Sequence, residues 1–365
     1  RIAAMTRDAA DPVLVQARLT DKARPVGAVD YLADLPQKHS EDAPGFAQAS
    51  QGLRGIVESA RDEVLLQTPY LVLSDSAQDM FRAMHRRESP PRVVVSTSSL
   101  ASTDSFITYA LSYKYKRRYL RDFGFEVHEY KPFPIDSPVD VPAPRVTVAT
   151  GAPPERVERA PSPGASKHHD ARLRADDSVA SGYRNPLQSE YAALSRQRNL
   201  ERVPLSQPGV RTGLHAKSLV VDGRIAVIGT HNFDPRGDHY NTESAVVIAD
   251  AAFARELGDS IRRDIAPGNS WTIAPRDKAP VFSGLEYSLA KLSERLPIFD
   301  LWPVRYATSY EFQPGPDCPQ PLPLASPAFH DCYRAVGDFP EVNLGFKSVL
   351  TRIFTAFGAG LAPVL

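Results

Sequence analysis

The sequence predicts an α/β fold in which helices flank a mixed β-sheet, with a Pro-rich insert and a C-terminal extension. Between about residues 49 and 130, short apolar runs alternate with helix-length segments, which is typical of parallel strands joined by helices. Later in the chain, two apolar runs flank Asp222-Gly223, a dipeptide typical of a tight β-hairpin. Because a hairpin joins antiparallel strands, the sheet is expected to be mixed.

The parallel part of the sheet is expected to hold three strands and the helices that connect them. Ser74-Asp75-Ser76 can cap the second of these helices, and Asp104 can cap the third. The apolar runs predict strands over residues 63–68, 93–97 and 125–130, and helical spacing predicts helices over 51–62, 77–87 and 104–123.

The second part of the chain begins with the hairpin strand that leads from Leu214 into Asp222-Gly223. Further elements are predicted in order: a return strand over 225–228, a strand over 244–248, a helix over 252–264 and a strand over 270–273.

Two stretches lack a clear pattern. Residues 132–208 are rich in Pro, Ala, Ser and Arg, which indicates a loop or partly disordered insert. After residue 264, a helix is expected near 285–296, and residues 300–327 are expected to be irregular. Residues 344–365 combine apolar and basic side chains, which fits a helix in a membrane interface as well as a helix packed on the domain.

The composition limits the function classes only weakly. The chain has 365 residues, 43 basic and 43 acidic side chains and a formal net charge of zero, so no overall field favours nucleic acid or an acidic surface. Cys318 and Cys332 are the two cysteines, and they would be free thiols in a reducing compartment or one disulfide in an oxidising one. Because the first residue is Arg1, we expect the natural start, where a signal peptide or membrane anchor could lie, to be upstream.

The hairpin carries the residues that indicate chemistry. Side chains alternate along a strand, so His215 and Lys217 are expected to point to the same face. An imidazole exchanges protons near neutral pH, and an ammonium group is a compact charge for a phosphate oxygen. Asn232 follows the return strand and is placed to reach the same oxygens, whereas Glu243 is placed to accept from the second imidazole nitrogen and fix its tautomer.

A simpler interpretation is a half-buried hairpin with an incidental histidine and lysine at its mouth. That interpretation explains Asp222-Gly223 but not the combination of His, Lys, Asn and Glu. Asp222 lies in the turn, where aspartate is favoured for backbone reasons alone, so we expect its role to be structural rather than chemical.

The spacing of these residues resembles the motif HxKxxxxDxxxxxxGSxN of the phospholipase D superfamily. His215, Lys217, Asp222 and Asn232 occupy the motif positions, and Thr230 stands where the motif has serine. The residues that follow, Asn232-Phe233-Asp234-Pro235-Arg236 and then Asn241-Thr242-Glu243, resemble the branch that contains bacterial cardiolipin synthases.

The resemblance implies a two-step reaction through a covalent phosphohistidine, with no cofactor and no metal ion. It implies that His215 is the general acid and base, that Lys217 and Asn232 hold phosphate oxygens, and that Glu243 orients a histidine. Asp222 belongs to the same catalytic motif by its position.

The chain departs from the family in one respect. The family combines two such motifs, but among the nine histidines of this chain only His215 has a lysine two positions later. Asp34-Leu35-Pro36-Gln37-Lys38 resembles the end of a first half, so we expect residues 1–48 to be the tail of that half, 49–264 the catalytic half and 265–365 an extension. The nucleophilic histidine would come from a missing upstream half, which we favour, or from a second copy of the chain.

The resemblance also implies the partners. The cardiolipin synthase-like branch transfers a phosphatidyl group from a phospholipid to an alcohol, so we expect a phospholipid substrate and a membrane surface, and no nucleic acid. The expected location is the bacterial inner membrane or its periplasmic side. The alternatives are a hydrolase of the same chemistry, acting on phospholipid or nucleic acid, and a non-catalytic lipid-binding relic.

Two further features are weaker. The helix expected over 104–123 carries five basic side chains and four tyrosines, which suits anionic head groups or a nucleic-acid backbone, and suits a solvated basic face equally well. His168, His169 and Asp170 have metal-binding side chains, but an exposed histidine pair in a loop is more often without a ligand. We therefore assign no site to either feature.

Overall fold

The computed structural model describes residues 2–21, 23–39, 48–136, 202–209, 211–276, 306–345 and 348–349. The middle of the predicted insert with His168, His169 and Asp170, the helix predicted near 285–296, and residues 350–365 lie outside the described residues. Within the described ranges, no helix combines the length and the apolar character that a membrane crossing requires.

The described part of the chain forms one ten-stranded sheet with the strand order β1-β7-β6-β5-β2-β3-β4-β8-β9-β10. Its strands are β1 (Val29–Ala33), β2 (Glu63–Gln67), β3 (Arg92–Ser98), β4 (Glu126–Tyr130), β5 (Ser218–Val221), β6 (Ile225–Gly229), β7 (Ser244–Ile248), β8 (Ser270–Pro275), β9 (Ala307–Phe312) and β10 (Tyr333–Gly337).

Helices occupy both faces of this sheet. They are α1 (Ile2–Ala10), α2 (Pro12–Val15, continued by a π-helical turn over Gln16–Thr20), α3 (Gln48–Glu58), α4 (Asp75–His85), α5 (Phe106–Arg121), α6 (Pro235–His239), α7 (Ala251–Asp264) and α8 (Phe329–Cys332), and a 3₁₀ turn spans Pro36–His39.

The alternation of side chains along the strands builds two cores. On one face of β2, Val64 and Leu66 pack in a cluster with residues of α3, α4 and α5. On the other face, Leu65 packs with Ala254 and Ile261 of α7. This arrangement confirms the predicted α/β class with helices on both sides of the sheet.

The sheet is mixed, as predicted. Strands β2, β3 and β4 are parallel, whereas β5, β6, β7 and β1 follow as antiparallel neighbours on one side. The hairpin connection is three residues long rather than two, because Val221 pairs with Ile225. Asp222 and Gly223 have φ angles of 51° and 62°, the left-handed conformation for which this dipeptide is suited.

Two local predictions were wrong. Asp104 does not cap α5; Ser105 does, because its side chain accepts from the backbone N–H of Thr108. Residues 307–312 are not irregular but form β9, which is stabilised by pairing with β8 and β10. Neighbouring prolines hide the strand pattern there, and pairing with distant strands decides the conformation.

The sheet is continuous across both predicted domain boundaries. β1, from the segment predicted to end an earlier half, pairs with β7, and β9 and β10, from the predicted extension, continue the sheet beyond β8. The division at residues 48 and 264 stays a prediction.

Helix α5 is a core helix rather than a solvated basic face. Its Lys116 is buried and pairs with Glu129 of β4, with 2.6 Å between Nζ and Oε1, while the hydroxyl of Tyr109 also contacts this pair. Burial raises the pKa of Glu129, although Lys116 and Tyr109 oppose the shift. Lys116 therefore stabilises the interior, where it also lies against the rings of Tyr109 and Tyr113.

Cys318 and Cys332 form a disulfide, the second of the two states that the sequence left open. Their Cα atoms are 5.5 Å apart, and the bond packs with Phe329 and Tyr333 in a small apolar cluster beside β9.

Candidate active site

The candidate site forms where several strand ends meet at one edge of the sheet. β5 runs antiparallel to β2, so the start of β5 at Ser218 lies beside the carboxyl end of β2 at Gln67. Ser218 also pairs with Ile228 near the end of β6, and β7 begins opposite that end. The segments before β5, after β6 and before β7 are thus brought to the edge at which parallel strands present ligand sites.

His215 and Lys217 lie in an extended segment directly before β5. The Nζ atom of Lys217 is 3.2 Å from Nδ1 of His215 and 3.4 Å from its Nε2, and it donates to the His215 carbonyl oxygen at 3.1 Å. His215 is exposed to solvent and Lys217 is half-buried. The structure therefore brings this ammonium group and this imidazole together, although neither residue belongs to a strand.

The surroundings of Lys217 affect its proton affinity. Burial lowers the pKa of Lys217, and the carboxylates of Glu243, Asp104 and Asp234 oppose this shift without cancelling it. These three carboxylates give the site a negative field around the Lys217 ammonium group.

Tyr70 is a site neighbour that sequence reasoning missed. Its ring faces the imidazole of His215 edge-on, with 6.4 Å between ring centroids, and its hydroxyl donates to Asp104 at 2.7 Å. The available indication was its position three residues after β2, beyond the carboxyl end of a parallel strand.

Asn232 lies on the loop after β6. Its Nδ2 donates to Asp234 at 3.3 Å, whereas its buried Oδ1 has no hydrogen-bond partner. Asn232 and Asp234 line a pocket of about 200 Å³ together with Tyr70 and Arg236. Through Tyr70, this pocket adjoins His215.

Glu243 lies immediately before β7 and is buried. Its carboxylate accepts a hydrogen bond from the hydroxyl of Thr230, the residue at the serine position of the motif. In the described part of the chain no hydrogen bond joins Glu243 to His215. An orienting role of Glu243 toward His215 therefore stays a prediction.

Asp222 lies at the opposite end of β5 from His215 and Lys217. Its carboxylate accepts from the backbone N–H groups of Arg61, Asp62 and Glu63, at distances from 2.8 to 3.3 Å. Burial raises the pKa of Asp222, but these hydrogen bonds and Arg224 outweigh it, so the pKa is below its ordinary value. The geometry gives Asp222 a structural role in the loop before β2 and separates it from the candidate catalytic groups.

A buried ion pair supports the site from β1. Nζ of Lys38 is 2.6 Å from Oδ2 of Asp34, and the two side chains are 2% and 0% exposed. Lys38 also donates to the carbonyl oxygens of Gly237 and Asn241, while Asp34 accepts from the backbone N–H of Glu243. Residues 34–38, which resemble the end of a first half, thus contact the loop that carries the site residues.

His231 is a second residue that sequence reasoning missed. It is buried between the site loop and α3, and its ring hydrogen-bonds to Asp238, Ser50 and the backbone of Phe233. The motif treats this position as variable, so the pattern gave no indication of its environment. Elsewhere in the described chain, no group of three or more His, Cys, Asp or Glu side chains is arranged to hold a metal ion.

One known family matches the part of the chain that contains the candidate site. Residues 165–265 match the family model described as cardiolipin synthase, PLD-like domain. The matched range contains His215, Lys217, Asn232 and Glu243. Over this range the chain is similar to the PLD-like domain of that family.

Similarity to individual curated proteins is low. An uncharacterized protein of Helicobacter pylori (strain J99) is 20% identical over 236 residues, which cover 65% of this chain and 33% of that protein. The major cardiolipin synthase ClsA of Bacillus subtilis (strain 168) is 30% identical over 79 residues, which cover 22% of this chain and 16% of the synthase. The chain thus spans about a third of the length of the first curated relatives that it matches.

Two solved structures show a distant likeness to the chain. Phosphatidylserine synthase of Haemophilus influenzae Rd KW20 is 14% identical with a TM-score of 0.36, over 65% of this chain and 39% of that one. Nuc from Salmonella typhimurium is 11% identical with a TM-score of 0.33, over 64% of this chain and 91% of that one. Such low TM-scores give no basis for transferring a function.

Proposed function

We propose that this chain contributes one half of a phosphodiester-transfer site that acts on phospholipids, in the manner of cardiolipin synthases. The observation that carries the proposal is the contact between Lys217 and His215 at the sheet edge that also holds Asn232 and Glu243. The family match over 165–265 supports the same chemistry.

In the proposed first step, a histidine from outside this motif attacks the phosphorus through a ring nitrogen. The P–N bond forms as the bond from phosphorus to the leaving alcohol oxygen breaks, and protonated His215 gives its proton to that oxygen. In the second step, neutral His215 takes the proton of an incoming alcohol, whose oxygen attacks phosphorus and breaks the P–N bond.

Lys217 and Asn232 would stabilise the charge that builds up on the non-bridging oxygens of phosphorus. Electrostatic groups fixed before the reaction supply this stabilisation without reorganisation cost. Thr230 holds the Glu243 carboxylate, which keeps a negative charge near Lys217 and so favours the protonated ammonium.

The attacking histidine is proposed to come from a second motif in an N-terminal half or from a second copy of the chain. A phospholipid substrate further implies that the protein works at a membrane surface, which we place on the inner membrane or its periplasmic side. These assignments rest on the family match and on the single His-x-Lys pair of the sequence.

The test is product analysis with the natural full-length protein on phosphatidylglycerol vesicles. We expect cardiolipin as the transfer product, and His215→Ala should lower kcat/KM by about 10²- to 10⁴-fold because proton transfer is lost. His85→Ala is the matched control, since His85 is exposed at the carboxyl end of α4, away from the site edge.

Other outcomes contradict the proposal in distinct ways. Free phosphatidic acid as the main product would indicate a hydrolase, and degradation of DNA in the absence of lipid would indicate a nuclease. A full-length protein without turnover on either substrate would indicate a lipid-binding relic.

A further inference from the structure

The loop that presents Asn232 contains a strained backbone. Phe233 has a φ angle of 59°, in the left-handed region that residues with a bulky side chain avoid. Its neighbours on either side, Asn232 and Asp234, both line the polar pocket beside His215. Such strain persists only where surrounding contacts hold it, and it concentrates at functional sites.

His231 supplies one of these contacts. Its Nδ1 accepts a hydrogen bond from the backbone N–H of Phe233 at 2.8 Å. The His231 side chain thus binds the backbone of the strained residue two positions later in the same loop. Because Nδ1 accepts, the ring proton lies on Nε2, a tautomer that we assign from the partners.

The Nε2 atom of His231, on the other edge of the ring, contacts two side chains. Nε2 is 3.2 Å from Oδ1 of Asp238 and 3.3 Å from Oγ of Ser50, and Asp238 in turn accepts from the hydroxyl of Ser74. Burial raises the pKa of Asp238, but hydrogen bonds from His231 and Ser74 outweigh it and leave the pKa below its ordinary value. The Asp238 carboxylate thus accepts a hydrogen bond from Nε2 of His231 and fixes that edge of the ring.

This arrangement does not make Ser50 a nucleophile. A base that activates a serine needs its carboxylate partner on the opposite ring nitrogen, whereas Ser50 and Asp238 share the same one. The hydroxyl of Ser50 instead donates to the carbonyl oxygen of Gly237.

Packing leaves the ring little freedom. His231 is 4% exposed, and its ring lies against Gly237 so closely that a Cβ there would be 2.8 Å from two ring atoms. On its other side the ring contacts Phe233, with 5.5 Å between ring centroids.

We propose that His231 is a positioning residue for Asn232: its Nδ1 holds the left-handed turn at Phe233 and thereby aims the Asn232 amide into the pocket. The buried Oδ1 of Asn232, which has no protein partner, supports this, because a buried acceptor without a partner is expected where a ligand completes the site. The inference rests on the proposed function, in which Asn232 contacts the reacting phosphoryl group.

Two substitutions separate the edges of the ring. In His231→Asn the side-chain oxygen takes the place of Nδ1 and can still accept from Phe233, whereas in His231→Gln the amide reaches toward Asp238 and leaves the Phe233 N–H unpaired. With the full-length protein, we expect His231→Gln to lower kcat about 10- to 100-fold with little change in KM, because a misplaced catalytic amide costs rate rather than binding. His231→Asn should stay within about threefold of the unmodified protein.

A second variant tests the strain directly. Glycine adopts positive φ as readily as negative φ, so Phe233→Gly should restore much of the kcat lost in His231→Gln. Circular dichroism and thermal unfolding of each variant show whether it folds, and a variant that unfolds is replaced in the comparison by the Phe233→Gly double mutant.

The inference is overturned if His231→Asn and His231→Gln lose the same activity, or if Phe233→Gly does not restore the kcat lost in His231→Gln. Hydrogen exchange of the Phe233 amide gives a readout that needs no turnover: exchange should accelerate in His231→Gln and stay slow in His231→Asn. If the unmodified protein shows no turnover, the proposed function fails, but equal exchange in the two variants would still refute the role of His231.

Discussion

Asp222 and His215 belong to the same hairpin, yet their surroundings differ completely. His215 is exposed at the site edge, whereas the Asp222 carboxylate binds three consecutive backbone N–H groups at the far end of β5. A residue that occupies a motif position therefore does not have to lie near the groups expected to carry the chemistry.

We expect Asp222→Ala to destabilise the protein by about 2 kcal/mol, because hydrogen bonds to a charged acceptor are lost and three N–H groups lose their partner. Asp222→Asn should cost less, since asparagine tolerates the left-handed backbone and keeps one acceptor oxygen. Urea unfolding measures both, with Asp79→Ala on the exposed side of α4 as a control. A cost of Asp222→Ala no larger than that of Asp79→Ala would contradict the structural role.

The same residue predicts a pH effect of known sign. The pKa of Asp222 in the folded protein is below its ordinary value, so its contribution to stability is present above the unfolded-state pKa and is lost as the pH falls through the folded-state pKa. In a plot of unfolding free energy against pH, the acid side should therefore be flatter for Asp222→Asn than for the unmodified protein.

The sequence predicted His215 and Lys217 on one side because strand side chains alternate, and the structure places them in contact through an extended segment. It did not predict Tyr70 or His231, because their proximity to the site depends on the pairing of β2 with β5 and on the packing of α3 against the site loop. Such contacts between distant segments leave no local pattern.

At the level of secondary-structure elements, a buried ion pair connects the end of β1 to the site loop. The Asp34–Lys38 pair, at the end of this strand, is nearly inaccessible to solvent and connects it to the loop around Gly237 and to the start of β7. Removing one partner leaves the other charge buried without compensation, which is costly.

We expect Lys38→Met to lower the free energy of unfolding by about 3–5 kcal/mol, because it leaves Asp34 buried and unpaired. Arg24→Met is the matched control: Arg24 pairs with Glu256, both side chains are more than half exposed, and such pairs contribute about 0–1 kcal/mol. Calorimetric or denaturant unfolding compares the two. Equal costs would show that the buried pair does not fix β1.

The parallel elements were predicted well, because apolar runs and helix caps are local. Ser74 caps α4 as expected, and β2, β3 and β4 lie within a few residues of their predicted limits. β9 was missed because its flanking sequence is rich in proline, and the strand exists only through its neighbours in the sheet.

For the whole molecule, we expect one partly exposed histidine to contribute to the acid response. His128 of β4 lies in a crease between the sheet and the segment around Leu322, and burial lowers the pKa of His128 to about 4. The unfolded chain, with a histidine pKa near 6.5, binds more protons between these two values, so stability falls as the pH falls from about 6.5 to about 4 and this contribution stays constant below that.

We expect this single group to lower the stability by about 3 kcal/mol across that interval. His128→Gln should remove the corresponding slope from a plot of unfolding free energy against pH. His330→Gln, at an exposed histidine, should leave it unchanged. A slope that persists in His128→Gln would assign the effect to other groups.

The mixed class of the sheet followed from the sequence, but its strand order did not. Alternation shows which segments are strands, whereas the insertion of β5 beside β2 and the return of β1 to β7 are choices among topologies that the pattern leaves open.

The contact between Asp34 and Glu243 spans 209 positions of the chain. Closing so long a loop carries an entropic cost before any contact compensates for it, and sheets with distant partners fold slowly. During synthesis β7 emerges long after β1, and until the two strands pair, Glu243 lacks its backbone contact with Asp34.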